Sequence, residues 1–399
     1  MRQIIVSKFG NEPDIFGHSL RCGMIGDWES RQLLLALSKD KNNCITYYGK
    51  AKWDNKKANE LFTNNNVQFI ESKSTDDASC IAQIADIDEF HIILGPHAFY
   101  NGSPNISSWS SIKTSIVTER LLQRVLPQIR LMNFSKKAKI FLYLSDRRFL
   151  LQATDLQNTN LVILAQSLQK SFYDRVSICD KDYSRLTAVQ QVVQPFRFET
   201  LWFLDKTYDD FKTNYTKAFT NRQNKLIIPA NQVTSNDDIC NSRLDKIIEY
   251  TDYIDDYVVL GKWTNLIAID NLVTNSCKKQ LLDGLDIDDY NKELLNSKYA
   301  LVLFNTKDSP DIFIDNWLTV KYWECVYHGC LTFVESTNDY NCFIPKELQV
   351  RNGEELRDKL NKCENDKSYK YTLLELQFNL VKPEYFSEQY FTNYINNLR

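Results

Sequence analysis

The sequence predicts an α/β protein made of two doubly wound domains. Three observations predict it. Apolar runs of strand length alternate with helical patterns along most of the chain, the order that gives parallel sheets covered by helices. The first apolar run leads into a loop holding Gly10, Gly17, Gly23 and Gly26, four of the eleven glycines, as suits a backbone that must approach a ligand closely. The 399 residues, 43% of them hydrophobic, exceed what a single compact core usually organises, so two are expected.

Composition narrows the functional classes. A formal charge of −3 argues against a generally basic nucleic-acid binder and leaves room for a local basic groove. Ten cysteines without a paired CxxC arrangement and four histidines suggest neither a disulfide framework nor a zinc site, which fits a reducing cytoplasm. The apolar run at residues 1–7 is too short for a signal peptide. No stretch approaches the roughly 20 apolar residues that cross a bilayer, so a soluble protein with no membrane partner is expected.

In chain order, residues 3–6 read as the first strand, and Asp27 is placed to cap a helix over residues 31–38. Glu29 falls in the first turn of that helix, where the helix dipole favours a carboxylate; the same residue is also ordinary helix chemistry. Strands over 44–48, 67–70 and 90–94 alternate with helices over 56–63 and 78–84. Asp86 and Asp88 read as a solvated turn, since nothing else metal-binding surrounds them. Phe99, Tyr100 and Asn101 precede Gly102, Ser103, Pro104 and Asn105. Adjacent aromatics beside a turn can replace a base flipped from a duplex, or simply anchor an Ω-like loop. A helix over 112–125 is followed by a buried strand over 139–144 that runs into Ser145, Asp146, Arg147 and Arg148. A carboxylate just beyond such a strand faces the cleft of a doubly wound sheet, where it can take a proton; it can equally pair with Arg147 or Arg148.

Further αβ units occupy residues 160–193, with strands over 161–164 and 175–178, and the aromatic, acidic stretch 196–217 suits a crossing between domains. Residues 221–224 are the expected linker. The second domain opens with a strand over 225–228 and a polar loop containing Ala230, Asn231 and Gln232, and the next helix carries Arg243. A strand over 257–261 ends in Leu260 and Gly261; Gly284, Leu285 and Asp286 form another turn; a strand covers 299–304. In the block 314–335, Leu318, Lys321, Tyr322 and Cys325 share one helical face, Glu324 sits in the first half of the helix, and Gly329 is the left-handed stop before a strand over 331–334. A carboxylate there can accept both hydroxyls of a ribose while a neighbouring cation meets its phosphates. An ordinary amphipathic helix is the competing reading. Helices over 354–362 and 386–398 complete the chain, the last amphipathic enough to cross back onto the first domain.

Thr319, Lys321, Trp323 and Glu324 in their leucine- and tryptophan-containing helix, the strand ending in Ser145, Asp146 and Arg148, and the aromatics before Gly102, Pro104 and Asn105 resemble GT-B glycosyltransferases. The resemblance is closest to the phage DNA β-glucosyltransferases and covers most of the chain in order. It implies a GT-B fold of two doubly wound, Rossmann-like domains facing across a cleft, with an acceptor domain at 1–222, a UDP-sugar domain at 223–382 and a crossing helix at 383–399. It implies inverting transfer to the hydroxymethyl group of 5-hydroxymethylcytosine in double-stranded phage DNA, with Asp146 as general base and Glu29 orienting sugar or acceptor. Asn231, Gln232, Arg243, Leu260, Gly261, Leu285, Asp286, Lys321 and Glu324 would bind the donor. Phe99, Tyr100, Asn101, Arg147 and Arg148 would bind DNA. Such an enzyme would act as a monomer in the host cytoplasm during infection, in DNA modification that evades restriction. Mg2+ or Mn2+ could accompany the diphosphate without a dedicated protein metal site. Lys321 stands where the family has arginine, Leu285 where it has lysine, and Ala230 and Asn231 where it has two glycines, so a pentose donor such as UDP-arabinose competes with UDP-glucose. A glycosyltransferase acting on a cell-surface glycan and a non-catalytic DNA-binding relic are the other readings.

Overall fold

The computed structural model describes residues 1–9, 28–49, 54–71, 87–94, 139–144, 161–165, 193–195, 203–217, 222–230, 238–261, 279–283, 285–303, 320–336 and 344–399. Among these, the strands form two sheets. The first contains β1 (Arg2–Phe9), β2 (Asn43–Gly49), β3 (Val67–Glu71), β4 (Glu89–Leu94), β5 (Lys139–Leu144), β6 (Leu161–Ala165) and β7 (Val193–Pro195). Its order is β3-β2-β1-β4-β5-β6-β7, parallel at each pairing. The second contains β8 (Gln223–Pro229), β9 (Tyr257–Gly261), β10 (Lys279–Asp283), β11 (Ser297–Val302), β12 (Leu331–Glu335) and β13 (Gln349–Val350). Its order is β10-β9-β8-β11-β12-β13, also all parallel.

Parallel strands covered on both faces need continuous apolar runs, and that is what these sequences supply. Ile4, Ile5 and Val6 in β1, and every residue of β9 and β12, are buried. Each sheet reverses its strand order once, between β1 and β4 and between β8 and β11. Such a reversal opens a crevice beyond the carboxyl ends of the strands. In the first sheet Phe9 pairs with Leu94, Leu94 with Leu144, and Leu144 with Ala165, so these strands end level.

Helix α1 (Trp28–Ser38) begins three residues earlier than expected and is buried nearly all round, from Ser30 to Ser38 apart from half-buried Arg31. A helix apolar on every face needs cover on every face. The first sheet lies on one side, and the last helix, α9 (Glu388–Leu398), packs on α1 as well. Between them in chain order come α2 (Asn55–Leu61), α3 (Tyr208–Thr216), α4 (Asp238–Thr251), α5 (Ile287–Asn296), α6 (Val320–Tyr327), α7 (Gly353–Asn365) and α8 (Lys367–Phe378). The elements β10, α5 and α8 are additions to those the sequence predicts; β10 has only Leu281 and Leu282 as apolar residues, and α8 carries weak apolar periodicity. The expected strand at 175–178 and helices at 78–84 and 112–125 lie outside the described residues.

Among the described residues, two cores correspond to the two sheets, and two stretches of chain join them. Phe203 belongs to the second core and the next residue, Leu204, to the first. Tyr385 belongs to the second, whereas Phe391 and Ile395 of α9 are buried in the first. The two crossings touch, with Phe203 and Phe386 ring centroids 4.6 Å apart. Burying a large apolar side chain contributes about 1.5–3 kcal/mol, so Phe391 and Ile395 alone anchor α9 firmly. At the end of α9, Arg399 Nη2 donates to Glu89 Oε2 at 3.1 Å, and Lys139 Nζ donates to the Arg399 carbonyl at 2.8 Å.

The expected linker at 221–224 is corrected in part. Gln223 and Asn224 already belong to β8. Arg222 donates to the carbonyls of Ser297 (3.2 Å), Asn214 (3.0 Å) and His328 (2.7 Å), which ties β8 to the neighbouring elements and makes it a structural cation.

Candidate active site

The site is most fully described around α6. Tyr322, Trp323, Cys325 and Val326 are all 0% exposed, so the helix is packed on several faces and Glu324 is carried inside with them, 5% exposed. The helix ends as its glycine dictates. Gly329 has φ +81°, its N–H donates to the Val326 carbonyl, and the Cys330 N–H reaches the Cys325 carbonyl. This is the Schellman pattern, and the left-handed residue costs least when it is glycine. A Cβ at this position would lie 2.6 Å from the Asn214 carbonyl oxygen, so the close approach of α3 needs glycine too.

Glu324 has a specific partner. The Tyr290 hydroxyl, from α5, donates to Glu324 Oε2 at 2.8 Å. Burial pushes the Glu324 carboxyl above the usual carboxylate range, while the Tyr290 hydrogen bond and the cations Lys321 and Lys206 oppose that shift. Lys321 is half-buried on the same helix. Lys206 comes from the first crossing, its Nζ 5.3 Å from the centre of the Tyr327 ring. His328 Nδ1 lies 2.7 Å from the Glu324 carbonyl, and because a carbonyl only accepts, Nδ1 carries the proton. Burial pulls His328 down to about 4, leaving it neutral at physiological pH. A carboxylate offers about four acceptor positions and Tyr290 occupies one of them.

Leu260 and Gly261 end β9, and Leu285 and Asp286 follow the end of β10, so these four lie at the carboxyl edge of the second sheet. Asp286 is exposed and caps α5, accepting from the Asp289 N–H at 2.9 Å, while Leu285 packs partly against the second core. Leu260 is 1% exposed and belongs to that core, which assigns its side chain to packing and leaves its main chain and that of Gly261 for any ligand contact. Arg243 lies in α4, of which the backbone is described at that position, and one turn later Lys246 forms a buried ion pair with Glu335 at the end of β12, 2.6 Å apart. Asn231 and Gln232 follow β8 directly but lie outside the described residues.

On the first-domain side Glu29 is placed by its backbone in the first turn of α1. Asp146, Arg147 and Arg148 begin two residues after the end of β5 at Leu144, and Phe99, Tyr100 and Asn101 begin five residues after the end of β4 at Leu94. All six lie outside the described residues. Asp88, read from the sequence as part of a solvated turn, is exposed and accepts from the Gln3 N–H at 2.8 Å. Among the described residues no group of three His, Cys, Asp or Glu side chains could hold a metal ion.

Tyr290 was not legible as a site residue. A buried tyrosine hydroxyl needs a partner, but nothing in the order of residues points from Tyr290 to Glu324.

No protein-family profile matches the sequence, and no curated protein matches it. Structural comparison does find similar folds. T4 phage β-glucosyltransferase bound to its UDP-glucose substrate superposes with a TM-score of 0.57 and 11% sequence identity, covering 99% of each chain. The fold is GT-B. The same T4 phage enzyme with UDP and Mn2+ gives 0.54 at 13% identity over 99% of each chain. A UDP-N-acetylglucosamine 2-epimerase gives 0.50 at 7% identity, covering 100% of this chain and 96% of the other. Within this GT-B fold, Glu324 and Tyr290 belong to the elements of the second sheet, and β5, which leads towards Asp146, to the first. No helix among the described residues is long and apolar enough to cross a membrane.

Proposed function

We propose that the protein is an inverting glycosyltransferase that moves a sugar from a UDP-sugar to the hydroxymethyl group of 5-hydroxymethylcytosine in double-stranded DNA. The observation that carries this reading is the end-to-end match to T4 phage β-glucosyltransferase. The buried carboxylate of Glu324, on the helix where the sequence reading expects ribose recognition, supports it.

Glu324 accepts the ribose hydroxyls. Lys321, Arg243 and the loop at Asn231 and Gln232 meet the diphosphate, and the main chain at Leu260, Gly261, Leu285 and Asp286 borders the base. Asp146 takes the proton of the acceptor hydroxyl as its oxygen attacks the anomeric carbon, and the bond to UDP breaks with its electron pair leaving on the diphosphate, where Arg243 and Lys321 stabilise the charge. Glu29 orients the sugar or the acceptor. Phe99, Tyr100 and Asn101 fill the gap left by the flipped base, and Arg147 and Arg148 hold phosphates. Mg2+ or Mn2+ would accompany the diphosphate, as supported by the T4 phage enzyme seen with UDP and Mn2+. The donor sugar is glucose or a pentose such as arabinose, because Lys321 and Leu285 set the donor side apart from the family pattern.

The test is a screen of UDP-sugars against hydroxymethylated and unmodified duplex DNA, read by nucleoside mass spectrometry. Transfer to hydroxymethylated DNA alone is expected. Asp146→Asn should keep UDP binding and lose about 10²- to 10⁴-fold in transfer rate. UDP binding without transfer to any hydroxymethylated DNA would move the acceptor to a glycan, and undiminished turnover by Asp146→Asn would remove that residue from the mechanism.

A further inference from the structure

Glu324 on its own is a poor recognition device. A carboxylate on a flexible side chain, deep in an apolar helix interface, loses orientation and tends to hold its proton. The structure supplies a remedy on a different element. Tyr290 is 2% exposed, and its hydroxyl donates to Glu324 Oε2 at 2.8 Å. Its helix is rigidly started. Asp286 caps α5 through the Asp289 N–H, and the Tyr290 N–H donates to the Asp286 carbonyl at 2.9 Å. The turn that borders the base in the proposed donor site and the tyrosine that grips the carboxylate are therefore one helical turn apart on one element.

We propose that Tyr290 and Glu324 together form the ribose-recognition unit, with Tyr290 the positioning residue that fixes the carboxylate and ties it to the base-bordering turn at Leu285 and Asp286. This rests on the sugar-nucleotide reading of the site. The Tyr290 hydroxyl donates to Oε2, and a hydrogen bond donated to a carboxylate favours its ionised form, the form able to accept from both hydroxyls of a ribose. The groups facing Glu324 are Tyr290 from α5, Lys206 from the crossing segment, Lys321 and Cys325 from its own helix, and His328 just after that helix. Burial holds the Cys325 thiol well above neutrality and His328 at about 4, so neither changes charge between pH 5.5 and 8.5. Glu324 lies above its ordinary value through burial, against the pull of Tyr290. Removing the hydroxyl moves it further up, and the loss in binding is greatest at the acidic end.

The experiment is calorimetric titration of the full chain and of Tyr290→Phe with UDP and with 2′,3′-dideoxy-UDP from pH 5.5 to 8.5, alongside thermal denaturation of both proteins. Tyr290→Phe should weaken UDP by about 10-fold at pH 6, as for one hydrogen bond to a charged group, and the gap should narrow as pH rises. The dideoxy nucleotide should bind both proteins equally. A variant that matches the parent at every pH, or one that loses UDP and dideoxy-UDP alike, would overturn the proposal, since a merely structural tyrosine would not distinguish the two. Failure of the parent to bind UDP at all would overturn the sugar-nucleotide reading together with it.

Discussion

Glu89 and Glu324 are both buried carboxylates, one in each half of the molecule, at 4% and 5% exposure, and their surroundings differ in kind. Glu89 opens β4 and is met by Arg2 at 3.3 Å, His91 Nε2 at 3.1 Å and Arg399 Nη2 at 3.1 Å. Behind it His91 stacks on Phe141 and pairs with the Tyr143 hydroxyl at 2.8 Å. Burial works against its charge, yet His91 and Arg399 outweigh burial and hold Glu89 down to about 2. Glu324 is met by one hydroxyl and more distant cations, and burial wins. A buried charge surrounded by donors is a structural joint. One that its own fold leaves only partly compensated is suited to receive a ligand's hydroxyls.

The largest effect that tests this contrast is on stability. Glu89→Gln leaves Arg399 and Arg2 without their carboxylate and loosens α9 from the first sheet; a loss of about 3 kcal/mol is expected, near the low end for a broken buried pair because Arg2 keeps water. Urea denaturation measures it, and UDP affinity in the surviving folded protein should not change. Glu324→Gln should do the reverse. UDP should weaken by roughly 1.5–3 kcal/mol as charge-assisted hydrogen bonds are lost, without the loss of stability expected of Glu89→Gln.

The sign of the pH dependence sharpens the contrast further. A carboxyl raised in the folded state contributes stability at low pH that is lost as pH rises through its folded value, so Glu324→Gln should gain on the parent protein in thermal melts over the interval above pH 4.5. A parent that gains on the variant over that interval would contradict the raised value. The smallest effect is expected on mild acidification. His328, depressed by burial to about 4 from 6.5, contributes stability present above 6.5 and lost as pH falls towards 4; His91, also depressed by burial, acts in the same direction. Glu89 follows, its contribution present above 4.5 and lost as pH falls towards 2. Denaturation midpoints across that range should fall in two stages.

Much of the frame was written in local order. The apolar runs that become β5 and β9 have the bounds the sequence suggests, because a strand buried on both faces announces itself within five or six residues. Gly329 was legible as a left-handed stop for the same reason: the conformational demand falls on one residue. Glu324 could be singled out as an acidic residue in an apolar helix.

Its partner could not. Tyr290 lies 34 residues away on another helix, and Arg399 meets Glu89 across 310 residues. Arg222 could pass for linker until its three carbonyls were in place, and only the fold shows the Leu260 side chain in the core. Periodicity, caps and glycine stops act within one or two turns of chain. Which carboxylate is satisfied and which is left partly compensated depends on sheet order and on how the crossings and α9 pack, and those place side chains together without regard to their distance in sequence.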